Sequence, residues 1–205
     1  RNLAEFKRFC ERYRYMDCPK PYPDLCTEHV VVMDYVEGIS VSHPDRLVKA
    51  GYDLKEIGTK LVDNYATQVL DEGFFHADPH PGNIIVRGGQ IVLIDLGMTG
   101  RLDQRTRTVL RDMLFAVAQQ DSPALADSLL RFANTSPDAE DYPALLDDLD
   151  MVVQEYGKVD LAELDIAAFL ASLTQLAARH GIEIPSSVTT VGRALITLEG
   201  LLDEF

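Results

Sequence analysis

A chain of 205 residues can bury a substantial core, as one large domain or two small ones. Hydrophobic residues make up 46% of it and charged residues 25%, which excludes an intrinsically disordered protein. The formal net charge of −14, from 19 Lys and Arg against 33 Asp and Glu, argues against nucleic-acid binding and against a polybasic membrane anchor.

The negative charge is concentrated in one block. Residues 121–165 carry 12 acidic and 2 basic residues, which we interpret as a solvated helical face. The cysteines, Cys10, Cys18 and Cys26, lack CxxC spacing and predict reduced thiols in a cytosolic-type compartment. No apolar run reaches the ~18 residues of a membrane-spanning helix. A start on Arg-Asn, with neither Met nor an apolar signal core, predicts a piece of a longer protein.

The first 38 residues predict a helix, an extended segment and a strand. Apolar residues at helical spacing from Leu3 to Tyr13 predict an amphipathic helix, which the prolines at 19, 21 and 23 end. The β-rich run from His29 to Val36 predicts a strand, closed by Gly38.

Two helices are predicted next. The first runs from Pro44 to Ala50 and ends at Gly51. Asp53 is a plausible N-cap for the second, whose apolar spacing continues to Glu72 before Gly73.

The following segment predicts a loop and a hairpin. Residues 74–83, FFHADPHPGN, are too rich in Pro and Gly for regular structure and predict a loop. Residues 84–86 and 91–94 predict two strands joined by a turn at the glycine pair 88–89, and Asp95-Leu96-Gly97 follows the second strand.

Everything after Gly100 predicts helices. Asp103 is a predicted N-cap, and the prolines at 123 and 143 suit the first turns of two further helices. Apolar spacing predicts the last two helices, one over residues 164–179 and one from Val188 to Leu202.

Three polar side chains in this pattern suit phosphate chemistry. A nucleotide triphosphate brings Mg²⁺, which prefers carboxylate, carbonyl and water oxygens. Asp95 at a strand end and Asn83 in the loop offer such oxygens, and Asp78, five residues before Asn83, is free to accept a proton or to orient a hydroxyl. This is the arrangement of the protein-kinase catalytic loop, followed by a hairpin and a metal-binding Asp at a D-x-G turn.

The amino-acid sequence of the loop points to a narrower class than protein kinases in general. GFFHADPHPGNIIV followed by IVLIDLGMTGRL closely resembles the UbiB-type (AarF) atypical kinases, also called the activator-of-bc1-complex kinase-like family, and the resemblance covers essentially the whole chain. It implies a catalytic role for Asp78 and metal-binding and cofactor-binding roles for Asn83 and Asp95, with ATP and Mg²⁺ as cofactors. It also implies a hinge in which Met33 is the gatekeeper and backbone groups near Asp34 and Val36 hold adenine.

The implied fold is the large lobe of a protein-kinase-like fold, mainly α with a small β component. Residues 1–37 would be the remnant of the small lobe, with its helix and hinge strand, and residues 38–205 the large lobe. The implied function is an atypical kinase or ATPase that supports ubiquinone-type prenylquinone lipid metabolism. The ordinary A-P-E motif is absent, which weakens the case for a protein substrate and leaves a small or lipid-related one.

One departure from the family lies before the hinge. The resemblance implies an Ala-rich loop that covers the nucleotide phosphates. Residues 1–37 contain no glycine and one alanine, Ala4, so they cannot supply such a loop. Lys7 lies on a polar helix face and Lys20 between prolines, so neither suits pairing with phosphate. We therefore expect little phosphotransfer from these 205 residues alone.

Two alternatives remain open at this stage. The chain could be a pseudokinase or scaffold that binds nucleotide and a lipid-biosynthesis enzyme without chemistry. His76 and His80 in His-x-Asp-x-His could instead hold zinc or iron in a metallohydrolase. The role of Arg101 and the oligomeric state are undecided. The predicted location is cytoplasmic, with peripheral membrane association of a longer protein left open.

Overall fold

The computed structural model describes residues 2–132, 141–158 and 164–205. The chain forms two compact units. Unit 1 comprises Arg1–Gln68, Phe74–Thr99 and Thr197–Phe205, and unit 2 comprises Val69–Gly73 and Gly100–Ile196. Residues 1–37 and the residues that follow them share unit 1, so this division differs from the predicted boundary at 37/38. The assignment of residues 1–37 to a small lobe stays a prediction.

Unit 1 contains a four-stranded sheet in the order β1-β5-β4-β2. Strand β5 (Gln90–Leu93) pairs in parallel with β1 (Met16–Asp17) and antiparallel with β4 (Ile84–Arg87), which also pairs with β2 (Ile39–Ser40). The predicted hairpin is confirmed. Gly88 and Gly89 have φ angles of +55° and +80°, and two consecutive left-handed residues are what a two-residue hairpin turn requires.

Three helices of unit 1 are also confirmed. They are α1 (Asn2–Cys10), α2 (Pro44–Lys49) and α3 (Leu54–Ala66). Helix α1 buries one face, on which Phe6 contacts Phe74 with ring centroids 5.5 Å apart. Asp53 caps α3 as predicted, its carboxylate accepting from the Lys55 and Glu56 N–H groups. A π-helical turn, Thr67–Glu72, then continues α3 where the sequence predicts ordinary helix.

The predicted strand over residues 29–36 is wrong. The structure has only an isolated bridge between Pro21 and Met33, flanked by backbone bonds from Tyr22 N–H to Val32 and from Asp34 N–H to Lys20. Pro21 has no N–H to donate, which limits pairing along this arm. The β-branched run is also exposed: Val31 keeps 68% of its surface accessible, so burial does not stabilise a strand.

The prediction of a loop over residues 74–83 is wrong at both ends. Phe74–His76 form strand β3, and Pro81–Asn83 form a 3-10 turn. Phe74 and Phe75 are buried, and the proline and glycine content that suggested a loop lies only in the second half of the segment. A further strand that the sequence analysis did not predict, β6 (Thr99–Arg101), lies just before the helices.

The described residues of unit 2 are mainly helical, as predicted. The helices, with α8 ending in unit 1, are α4 (Gln104–Ala118), α5 (Ser122–Leu130), α6 (Tyr142–Tyr156), α7 (Ile166–Arg179) and α8 (Ser186–Leu202). Asp103 caps α4, and its carboxylate accepts from the Thr106 N–H at 2.7 Å. None of the described helices combines the length and apolar character that crossing a bilayer needs.

The acidic block is described in part, because residues 133–140 and 159–163 lie outside the described residues. On α6, Asp147, Asp150 and Glu155 are exposed, which agrees with a solvated face. Asp148 is half-buried and pairs with His180 at 2.9 Å within unit 2.

Candidate functional site

His76, at the end of β3, anchors the loop that carries the predicted catalytic residue. Its side chain is 1% exposed. Its backbone carbonyl accepts from the Tyr65 hydroxyl at 2.9 Å, and its backbone N–H donates to Gln68 Oε1 at 2.8 Å. Both backbone groups of this residue are therefore fixed by side chains of one helical segment.

Asp78 and Asn83 are joined within the loop. The Asp78 N–H donates to His76 Nδ1 at 3.1 Å, and Asn83 Nδ2 donates to the Asp78 carbonyl at 3.4 Å. The 3-10 turn also places the Asn83 N–H 2.8 Å from the His80 carbonyl. These bonds use the Asn83 amide nitrogen and leave its Oδ1 without a partner in the described part of the chain.

Asp95 reaches the same neighbourhood through β5. The Ile94 N–H donates to the Asn83 carbonyl at 3.0 Å, so the residue before Asp95 is paired with Asn83. Asp95 is exposed, and its Oδ1 accepts from the Gly97 N–H at 2.9 Å. The Leu96 carbonyl accepts from Asn2 of α1 at 3.3 Å, which ties this turn to the first helix. Unit 1 thus brings Asp78, Asn83 and Asp95 together.

Burial sets the protonation state of the inner groups. It lowers the pKa of His76 below 6.5, although the charges of Asp78 and Asp95 and the Asp95 backbone act in the opposite direction. Burial, assisted by the charge of Asp78, raises the pKa of Tyr65 well above its usual value. His76 is therefore a neutral imidazole at pH 7, and Tyr65 a neutral hydroxyl that donates.

We predict that the pKa of His76 lies below 6.5 and that the neutral ring carries its proton on Nε2. The reason is that Nδ1 accepts from the Asp78 N–H and burial penalises the charged ring. A pH titration of the ¹⁵N ring signals should show a pKa below 6.5, and stability should decline as pH falls through that range, because the unfolded chain gains the proton first. A His76 pKa at or above 6.5, or a proton on Nδ1, would contradict this.

The predicted hinge residues are not bonded to this cluster. Asp34 Oδ1 accepts from the Tyr22 hydroxyl at 2.6 Å, a bond that raises the pKa of Tyr22. Met33 is 40% exposed and Val36 is half-buried. Among the described residues, no hydrogen bond links Met33, Asp34 or Val36 to Asp78, Asn83 or Asp95. The hinge joins the sheet at Gly38, where a Cβ would lie 2.6 Å from the Val86 carbonyl of β4.

The free oxygens suit a hard cation. Asn83 Oδ1 and Asp95 Oδ2 lack hydrogen-bond partners in the described structure, and Mg²⁺ commonly takes one or two protein oxygens and completes its shell with water and phosphate. The residues present therefore fit Mg²⁺ bound with a nucleotide.

A zinc or iron site gains no such support. His76 is buried with Nδ1 already engaged, and His80 Nδ1 accepts from the Gly82 N–H at 3.1 Å. Within the described ranges, no three His, Cys, Asp or Glu side chains are grouped as a metal site would need.

Comparison with known families agrees with this geometry. Residues 1–129 match the ABC1 atypical kinase-like domain, and residues 149–205 match the UbiB helical domain. The chain belongs to the ABC1 atypical kinase-like family. The resemblance seen in the loop motif is thereby confirmed.

Relatives from bacteria and plants share this family. "Probable protein kinase UbiB" of Tolumonas auensis is 29% identical, over 98% of this chain and 38% of its own length. "Protein ACTIVITY OF BC1 COMPLEX KINASE 1, chloroplastic" of Arabidopsis thaliana is 29% identical, over 98% of this chain and 30% of its own length. An uncharacterized protein of the hydrogenase 1 5′ region of Clostridium pasteurianum is 30% identical over 98% of this chain and 38% of its length. The chain thus spans 30% to 38% of these relatives.

A solved structure shares the fold. Rv3197 of Mycobacterium tuberculosis, solved in complex with erythromycin, matches with a TM-score of 0.54 and 16% identity, over 97% of this chain and 52% of that one. This likeness concerns the fold alone. With the family match, it confirms the predicted class, a kinase-like fold that is mainly α with a small β component.

The sequence reasoning missed the groups that hold the loop. Tyr65 lies on the apolar face of α3, where its spacing predicts packing alone, and no pattern in the sequence predicts a role for Gln68. Their signal was a polar side chain, Gln68, within an apolar helical spacing eight residues before His76. An amphipathic pattern alone does not show that such a side chain is buried.

Proposed function

We propose that the protein of which this chain is part is a Mg²⁺- and ATP-dependent phosphotransferase of the UbiB type, acting as a kinase or an ATPase. The observation that carries the proposal is the pairing of Asn83 with both Asp78 and the residue before Asp95. It supports the proposal because a candidate proton acceptor and two candidate oxygen ligands lie in one compact unit.

Each of the three side chains has a defined task in this proposal. Asn83 Oδ1 and the Asp95 carboxylate would hold Mg²⁺, whose charge, when bound, offsets that of the β- and γ-phosphates. Asp78 accepts the proton of the attacking hydroxyl or water, or orients it. His76, neutral and buried, fixes the Asp78 N–H.

The backbone of the hinge is proposed to hold adenine near Asp34 and Val36, with Met33 as gatekeeper. The Asp34 N–H already donates to the Lys20 carbonyl at 3.0 Å. The Val36 backbone groups have no intramolecular hydrogen bond in the described structure. We therefore assign the donor toward adenine to the Val36 N–H.

The finer function rests on the family resemblance. We propose a role in ubiquinone or related prenylquinone lipid metabolism, with a small or lipid-related phosphoryl acceptor. A location in the cytoplasm, peripheral to a membrane, belongs to the same proposal.

A second candidate is a pseudokinase or scaffold that binds nucleotide without transferring phosphate. The observation that favours it is the engagement of both lysines before the hinge. Lys7 donates to Asp17 at 2.5 Å and to the Cys18 carbonyl, and Lys20 lies over the Tyr22 ring at 5.5 Å. Neither is therefore placed to neutralise a phosphate.

We predict that the purified 205-residue chain turns over little ATP, because residues 1–37 contain no phosphate loop and no unengaged lysine. The complete gene product that contains these residues should hydrolyse ATP or transfer its phosphate when Mg²⁺ is present. A coupled ADP-release assay on both proteins checks this. Robust turnover by the 205 residues, lost on Asp95→Ala, would refute the first part. Nucleotide binding without turnover by the complete protein would favour the scaffold.

A further inference from the structure

We propose that Gln68 is a positioning residue for Asp78, acting through the backbone of His76; this inference rests on the proposed function. The segment concerned is the π-helical turn Thr67–Glu72, which directly precedes Gly73 and β3.

The contacts form one continuous chain from Gln68 to Asp78. Gln68 is fully buried, and its Oε1 accepts from the His76 N–H at 2.8 Å. The Tyr65 hydroxyl binds the His76 carbonyl, and His76 Nδ1 accepts from the Asp78 N–H at 3.1 Å. The bond between Gln68 and His76 therefore sits two residues before the candidate base and restrains the backbone that carries it.

The side chain of Asn64 contacts Gln68 and orients it. Its side chain is 1% exposed, and Gln68 Nε2 donates to its Oδ1. Its Nδ2 is buried without a partner among the described residues, so the contact with Gln68 is its one side-chain hydrogen bond there. A buried amide with an unpaired donor costs stability. This loss of stability has a functional explanation if Asn64 orients Gln68 for the site.

Gln68 lies at the start of the π-helical turn, on the buried face that continues from α3. Asn64, Tyr65 and Gln68 recur at the spacing that keeps side chains on one face of a helix, and Thr67 is buried beside them. Single π-helical turns within helices occur frequently at functional sites. Here Gln68 lies beside Tyr65, and these two side chains bind the two backbone groups of His76.

The test begins with Gln68→Met in the complete gene product, which keeps the side-chain length and removes both hydrogen bonds. We expect ATP turnover to fall by about 10- to 100-fold, because small misplacements of a catalytic group have effects of this size. The KM for ATP should stay within twofold of its original value, since Gln68 makes no contact with the hinge in the described structure. The matched control is Thr67→Val, at a buried neighbour that bonds Asp63 and Tyr15 and not His76. It should keep full turnover.

Gln68→Glu separates positioning from packing. A protonated carboxyl can accept from the His76 N–H and donate to Asn64 Oδ1, whereas the ionised form repels that oxygen. Burial favours the protonated form. The turnover of Gln68→Glu relative to the unsubstituted protein should therefore rise as pH falls from 8 to 6, while the folded fraction measured by circular dichroism stays constant over that range. A loss of folding at pH 8 that parallels the loss of turnover would mean a purely structural role.

Amide hydrogen exchange of the segment 74–79 completes the test and does not depend on activity. Exchange at His76 should accelerate in Gln68→Met and stay unchanged in Thr67→Val. Full turnover by folded Gln68→Met, equal losses in both variants, or unchanged exchange at His76 would each overturn the proposal. If the unsubstituted protein turns over no ATP, the proposed function fails, while the exchange measurement still decides whether Gln68 holds His76.

Discussion

Asp95→Asn in the complete gene product is expected to lower kcat/KM for Mg²⁺-dependent ATP turnover by about 1,000-fold, which corresponds to about 4 kcal/mol of transition-state stabilisation. The substituted amide can still accept the Gly97 N–H bond that Asp95 Oδ1 makes at 2.9 Å, so the turn is preserved. What is lost is the negative charge that Mg²⁺ prefers in a ligand. Steady-state turnover over a range of Mg²⁺ concentrations measures the effect.

The matched control is Asp53→Asn. It makes the same chemical change at the N-cap of α3, where Asn is as good a cap as Asp. We expect its turnover and stability to remain those of the unsubstituted protein. If Asp95→Asn keeps more than about a tenth of the original turnover, a loss below 1.4 kcal/mol, then Asp95 is not the metal ligand proposed here.

Asp78→Asn is expected to lower kcat by about 100- to 10,000-fold, the range for removal of a general base. Both hydrogen bonds that hold Asp78 in the loop use its backbone, namely the N–H to His76 and the carbonyl to Asn83. The substitution therefore removes proton acceptance and leaves these contacts in place. The KM for ATP and the dependence on Mg²⁺ should both be unchanged.

The comparison of these two variants separates the roles. Single-turnover measurement of phosphate release distinguishes slow chemistry in Asp78→Asn from weak metal binding in Asp95→Asn. Rescue of Asp78→Asn by excess Mg²⁺ would contradict a role as base and would instead make Asp78 a metal ligand.

Local signals in the sequence predicted most of the secondary structure. Asp53 and Asp103 cap the helices that they were expected to cap, because capping is satisfied within three residues of the cap. The glycine pair at 88–89 also predicted the hairpin correctly. Both residues adopt the left-handed backbone that a two-residue hairpin turn requires, so the signal is local too.

The errors arose where partners are distant in sequence. The run from His29 to Val36 has strand composition, but a strand needs a partner with free N–H groups, and the opposing arm contains Pro21. Phe74 and Phe75 looked like part of a loop because Pro and Gly follow them, yet their burial makes them a strand.

The candidate site was predictable as a set of residues but not as a geometry. The sequence motifs around the loop and the Asp95-Leu96-Gly97 turn identified Asp78, Asn83 and Asp95 as members of one site. The sequence could not show that Asn83 would bond both the Asp78 carbonyl and the residue before Asp95. The first contact depends on the course of the loop and the second on the pairing of β4 with β5. Gln68 was overlooked because an amphipathic pattern does not show that a polar side chain within it is buried.

The most direct test of the central claim locates a metal ion relative to the loop. Mn²⁺ also suits oxygen ligands, and it broadens the NMR signals of nearby nuclei. With ADP and Mn²⁺ added to the ¹⁵N-glycine-labelled complete gene product, the amides of Gly82 and Gly97, which flank Asn83 and Asp95, should lose their signals first. Gly88 and Gly89, at the far end of the hairpin and about 13 Å further away, should keep most of theirs. Early loss at Gly88 and Gly89 with Gly82 and Gly97 unaffected, or no loss at any of the four when nucleotide is saturating, would contradict a nucleotide-metal site at Asp78, Asn83 and Asp95.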